Sequence, residues 1–232
     1  MKKEKHIKAM SGVMAVSMIG SVIGGMPPVM AAKPDKVNYP DMSPESDTYV
    51  FNNDDSVKGG LDYAVLGSSM NTIPEGINYF NDGTENINMV YVSFNIQNID
   101  VSKLDDAQLK LSIIEGAASS GATVQVFGTE SDIDENTTTW SSKPDITDVT
   151  EEQGEAGVIT SADAISQAEV SGSEITVSNL GKYIKAAKEA AKDTVTFAVY
   201  LNSAAMVKVG TRENEDASKK PTLSFTVIDE EA

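Results

Sequence analysis

The chain has 232 residues, 40% of them hydrophobic, with a formal net charge of −17, one histidine and no cysteine. So acidic a chain lacks the basic footprint that counterion release requires, which argues against nucleic acid as a partner, and the missing cysteine rules out disulfides and cysteine-linked lipid. The one histidine is His6, so no Ser-His-Asp triad, Cys-His pair or ordinary zinc set can be assembled beyond it.

At the start, Lys2, Lys3, Lys5 and Lys8 precede "AMSGVMAVSMIGSVIGGM", and small residues follow in "VMAAK". That order of charge, apolar run and small residues predicts a secretory signal peptide over 1–31, cut after Ala31 or Ala32. A membrane anchor needs about 20 apolar residues in a row; here Ser11, Ser17, Ser21 and glycines break the run before Pro27, so no transmembrane anchor is expected. Removing 1–31 takes four lysines and Glu4 away, and the net charge moves from −17 to −20. The ending "SFTVIDEEA" has neither an apolar tail nor a sorting-type signal. A secreted, extracellular protein, released or non-covalently retained, is the expectation.

Residues 32–46 contain "KPDKVNYPDMSPES", with three prolines and no apolar period, and read as an extended linker. The folded domain is expected over 47–229. Within it, apolar residues alternate in short runs punctuated by Gly, Asn, Asp and Ser, predicting strands at 47–51, 63–66, 89–96, 107–114, 123–127, 174–177, 195–201, 206–209 and 222–228. One segment departs from that period. In "SNLGKYIKAAKEAAKD", Leu180, Ile184 and Ala187 share a helical face and Lys182, Lys185, Lys188 and Lys192 point elsewhere, with Ser178 or Asn179 as N-cap. The fold class expected is all-β, one two-sheet domain of sandwich or barrel type with one short crossover helix. The helix either seals an end of the sandwich or offers a basic face to an anionic partner.

Alternation places Val90, Val92, Phe94, Leu109, Leu111, Ile113, Val124, Val126, Val207 and Val209 inward. Tyr91, Lys110, Gln125 and Lys208 are then outward, and Tyr200 joins them if Phe197, Val199 and Leu201 point in. Two tyrosines, two lysines and an amide suit a sugar, because rings stack on C–H faces while polar groups read hydroxyls or a carboxylate. An ordinary solvated sheet face has the same make-up. Tyr79 and Phe80, adjacent in "INYFNDG", cannot both be buried easily at a turn, and one is expected as a loop-tip contact.

Oxygen donors cluster in "FNNDDS". Asp47, Asn53, Asp54 and Asp55 are candidate ligands of a structural calcium, the one cofactor expected, with an Asx-rich turn as the other reading. Arg212 in "GTRENED" is the only arginine and points to a fixed bidentate pair with a carboxylate, Glu213 serving as a local anchor. Asn136 in "NTT" fits a glycosylation acceptor.

Four segments carry a family resemblance in their order: "DTYVF", "VYVSFNIQNIDVSKLDDAQLKLSI", "IDENTTTWSSKP" and "VTFAVYLNSAAMVKVGTRENEDASKKPTLSFTV". Together, over roughly 47–228, they resemble the DNRLRE-type domain, also described as carbohydrate-binding module family 96. Departures fall at Ser93, Asn95, Ile133 and 176–178. The resemblance implies a two-sheet jelly-roll-like β-sandwich, usually an accessory module of secreted polysaccharide-active or cell-surface proteins, some of which bind alginate-like sugars. The function expected is therefore a secreted, non-catalytic carbohydrate-binding module that recognises extracellular or cell-wall polysaccharide. A structural or adhesive surface protein with other cell-surface proteins as partners is the alternative, and a polysaccharide lyase or hydrolase built on carboxylates a weaker one. Trp140, the only tryptophan, is expected to anchor the sandwich edge under a neighbouring loop, the strand-prone threonine run before it ending at Pro144.

Overall fold

Stretches of β-branched and aromatic residues at period two form strands wherever turn residues punctuate them. The computed structural model describes residues 36–38, 41–68, 87–147, 164–202 and 205–228. The signal expected over 1–31 lies outside them. In chain order the elements are β1 (Lys36–Asn38), β2 (Ser46–Phe51), β3 (Tyr63–Ser68), β4 (Ile87–Asn95), β5 (Leu104–Glu115), β6 (Thr123–Thr129), β7 (Ile146–Thr147), β8 (Ser166–Glu169), β9 (Glu174–Val177), α1 (Gly181–Glu189), β10 (Thr194–Asn202), β11 (Met206–Gly210) and β12 (Thr222–Ile228). All nine runs read from the sequence are strands. The three others were unread: β7 and β8 are short edge pieces on β6, and β1 pairs with the end of β12 inside the segment expected as linker.

Every pairing among these strands is antiparallel. They form a curled sheet in the order β1-β12-β5-β11-β3-β4-β10-β6-β7, with β2 on β4, β8 on β6 and β9 on β5. The main core lies on one face of it. Val90, Val92, Phe94, Val124, Val126, Phe197 and Val199 contribute from β4, β6 and β10, and Leu109, Leu111, Ile113, Val207, Val209, Leu223 and Phe225 from β5, β11 and β12. All ten residues expected inward are in this cluster.

The helix α1 lays Tyr183, Ile184 and Ala187 on the same core, with Leu180 just before it. Its start has no side-chain cap. Ser178 Oγ instead accepts from Gln108 Nε2 at 2.8 Å, and Asn179, at φ 65°, donates its N–H to Asp106 Oδ2 at 3.1 Å. Both expected caps are thus used to fix the chain's entry into the helix. At the other end the Lys188 and Lys192 ammoniums hold the carbonyls of Gln97 and Glu130 at 2.8 and 3.2 Å. These lysines tie loops to the helix. Gly128 allows the tight approach of α1: a Cβ there would lie 2.4 Å from the Tyr183 ring, whose hydroxyl accepts the Thr129 N–H at 3.0 Å.

The opposite face of β2, β4, β6 and β10 is apolar as well. Val50, Ile87, Met89, Tyr91, Phe127, Ala198 and Tyr200 form a second cluster with Ile133, and Trp140, Ile146 and Ala164 pack against it. The segment between β6 and β7 supplies this cover. Its threonine run, strand-prone by composition, enters a turn instead, because Asp134 captures it: the Thr137 and Thr138 N–H groups reach its carbonyl at 3.0 and 2.8 Å, and its side chain takes the Asn136 N–H at 2.9 Å. Trp140 packs at this edge, as expected, with the Lys143 ammonium 4.1 Å from its ring centroid. Among the described residues no helix is long and apolar enough to cross a membrane.

Candidate functional site

Tyr91, Gln125 and Tyr200 do stand near one another. Tyr200 is the cross-strand partner of Gln125, and Tyr91 lies one strand over, opposite Ala198. Tyr91 and Tyr200 point away from the main core, as expected, but the open face expected there is covered: Tyr91, Gln125 and Tyr200 are 0%, 2% and 1% exposed. The cover is the segment before β7, whose Pro144 carbonyl accepts the Tyr91 hydroxyl at 3.4 Å. A ring so enclosed presents no face to a sugar, and burial pushes the Tyr91 phenol far above its usual pKa. Lys110 lies in a different place, on β5 beside β9, paired with Glu174 at 2.6 Å. Tyr79 and Phe80 fall outside the described residues.

Lys208 is the candidate that the fold places in a cleft. On β11 it faces Val65 of β3 on one side and Glu115 of β5 on the other. Its ammonium pairs with Glu115 at 2.6 Å and sits 4.7 Å from the centroid of the Tyr63 ring. Tyr49 and Phe51 arrive on β2, Asn88 on β4, Met206 and Val207 on β11, and Lys58 on the turn after β2. Together they line a cavity of about 440 Å³, within the range of about 300–1,000 Å³ typical of ligand clefts. Tyr49, Phe51, Val65 and Val207 give it an apolar lining; Lys58, Asn88, Glu115 and Lys208 give it hydrogen-bonding groups. Met206, 49% exposed, extends the apolar surface outward. A second cavity, about 540 Å³, is lined by Asp105, Asp106, Ile165, Asn179, Gly181 and Lys182 and has no aromatic ring.

The carboxylates of the expected calcium set, Asp47, Asp54 and Asp55, do not form one cluster. Asp54 takes the Ser56 N–H at 3.0 Å and binds Lys58, and Asp55 takes the Ser141 N–H at 2.7 Å. Asp54 makes a local Asx turn, the other reading, while Asp55 ties this loop to the segment before β7. Asp47 instead meets Glu135 and Glu213: one carboxylate oxygen of each lies within 4.8 Å of the other two. Arg212 holds this group in the expected bidentate manner. Its Nε reaches Glu135 Oε2 at 3.0 Å and Glu213 Oε1 at 2.7 Å, its Nη2 reaches Glu135 Oε1, and its backbone N–H donates to Asp47 Oδ2 at 2.7 Å. Burial raises the Asp47 pKa to about 7; the Arg212 N–H opposes that rise, while Glu213 and Glu135 add to it.

The family model of carbohydrate-binding module family 96 matches residues 38–227. The chain belongs to this family. No curated protein matches it. The family 96 match takes in β2 to β11, nearly all of β12 and every residue of the cleft and of the carboxylate group. Both are therefore features of the module itself, not of the segment before it.

Proposed function

We propose that this family 96 module is secreted and binds an extracellular or cell-wall polysaccharide without acting on it, in the cleft around Lys208. The observation that carries the reading is the cleft's composition in a chain of this family: an apolar wall with Tyr49 and Phe51 beside two lysines, an amide and a carboxylate. Sugar C–H faces cover apolar and aromatic surface while hydroxyls exchange hydrogen bonds with the polar groups. Because Lys208 and Lys58 are each paired with an acid, the cleft is close to charge-balanced. Polymers rich in hydroxyls are the ligand class that suits it.

The same reading completes the fold as a two-sheet jelly roll, with β1, β12, β5 and β9 in one layer and β2, β4, β10 and β6 in the other. A purely binding role is consistent with the carboxylate group, because Asp47 is 1% exposed and Arg212 engages Glu135 and Glu213. The test is affinity electrophoresis in gels containing single polysaccharides. The wild-type module is retarded by at least one of them, and the variant combining Phe51→Ala with Lys208→Ala loses about tenfold in affinity, equivalent to about 1.4 kcal/mol. Equal retardation of a folded double variant would sink the cleft assignment. A wild-type module retarded by no polysaccharide would sink the binding function.

A further inference from the structure

We propose that Asp47, Glu135 and Glu213 form a binding site for a hard divalent cation, calcium by its ligand class, that clamps β2 to the segment before β7 and to the loop after β11. The three oxygens within 4.8 Å of one another fit around one ion, since calcium holds carboxylate oxygens at about 2.3–2.6 Å and opposite ligands are then twice that distance apart.

Acidic clusters are common on surfaces, and a second observation sets this one apart. Asp47 is 1% exposed, and its Oδ1 is buried with no hydrogen-bond partner; Glu213 Oε2 is buried in the same condition. Their sister oxygens are occupied, Asp47 Oδ2 by the Arg212 N–H and Glu213 Oε1 by the Arg212 guanidinium. Buried carboxylate oxygens left without partners are costly, and an ion bound by these acids would supply the missing partner. Charge decides what it is. With all three ionised, the carboxylates outnumber the one guanidinium by two negative charges, which a divalent ion cancels and one shared proton does not. Backbone carbonyls and water would complete the calcium shell.

The position explains what such an ion would do. Glu135 belongs to the segment that carries Ile133 and Trp140 onto the second apolar cluster, so holding Glu135 to Asp47 holds that cover over Tyr91 and Tyr200. None of the three acids lines the cleft around Lys208. The ion is therefore a brace, separable from sugar binding.

The experiment uses the full module, stripped with a chelator and titrated with calcium chloride, followed by thermal unfolding and calorimetry. The melting temperature of the wild type rises saturably by several degrees, with one ion bound per chain. Glu213→Gln, at a half-buried position that keeps its Arg212 contact, abolishes the rise; Asp47→Asn serves as the second variant should the first fail to fold. A wild-type melting temperature unmoved by millimolar calcium overturns the proposal and leaves a shared proton as the occupant. A rise of equal size in both variants also overturns it, because calcium would then bind elsewhere.

Discussion

Tyr91→Ala lowers the stability of the module by about 3–5 kcal/mol, the cost of emptying a fully buried aromatic site. Tyr91 is among the largest side chains with no exposed surface, enclosed between β4 and the cover that carries Ile133, Trp140 and Ile146. A domain of this size has about 5–15 kcal/mol in total, so the variant approaches the unfolding threshold. Tyr91→Phe keeps the ring and loses only a long hydrogen bond to Pro144, worth about 1 kcal/mol or less. Urea denaturation followed by circular dichroism separates the two. A Tyr91→Ala variant as stable as the wild type would mean that the ring is not enclosed, and the open sugar-binding face read from strand alternation would stand after all.

The chelator-treated module loses stability as pH rises from about 4 to about 7, by roughly 4 kcal/mol through Asp47. The sign follows from the direction of the shift. Asp47 has a folded-state pKa of about 7 against an ordinary value of 3.8. Between those values the folded chain holds a proton that the unfolded chain has released, so each increase in pH favours unfolding. Above the folded pKa the loss is complete. The groups facing Asp47 are Glu135, Glu213 and Arg212, with the Lys220 ammonium on the Arg212 carbonyl at 2.7 Å. Asp47→Asn retains an acceptor for the Arg212 N–H and has no proton to lose, so the difference between wild type and variant isolates this group from the other acids. Urea midpoints at pH 5 and pH 8 measure it: the variant gains on the wild type at the higher pH. A difference that stays constant with pH, or runs the other way, contradicts an enclosed Asp47. The exposed carboxylates Asp100 and Asp216 add little, because solvent screens them.

The strands were legible because period two is written into them. Val90, Val92 and Phe94, or Val124 and Val126, can only line one face of a pleated strand. Alternation says which residues share a face and nothing about whether a face is covered. That is where Tyr91 and Tyr200 were misplaced. Their cover comes from Ile133, Trp140 and Ile146, apolar residues spaced without a period in a segment that makes turns. The threonine run in that segment looked strand-prone, yet Asp134 offers its N–H groups a nearer partner. Local hydrogen bonding defeated propensity there.

The cleft was half legible. Alternation turned Lys208 outward, but Tyr49, Phe51 and Tyr63 join it only through the β2–β4 and β3–β11 pairings, which no single run reveals. Arg212 declared its need for a carboxylate by being the sole arginine. Glu135, the partner it takes, lies 77 residues away. Asp47 was among the oxygen donors singled out, but the neighbours assumed for it were those adjacent in sequence, when the fold brings Glu135 and Glu213 to it from distant segments.

The central claim is that polysaccharide binds in the Lys208 cleft and not over the buried tyrosines. Amide chemical-shift mapping tests it most directly, using an oligosaccharide cut from whichever polysaccharide retards the module. Resonances of Phe51, Val65, Asn88 and Lys208 should move in saturable steps, while those of Tyr91, Gln125 and Tyr200 stay in place. Shifts centred on Gln125 and Tyr200, with the cleft unperturbed, would contradict the account.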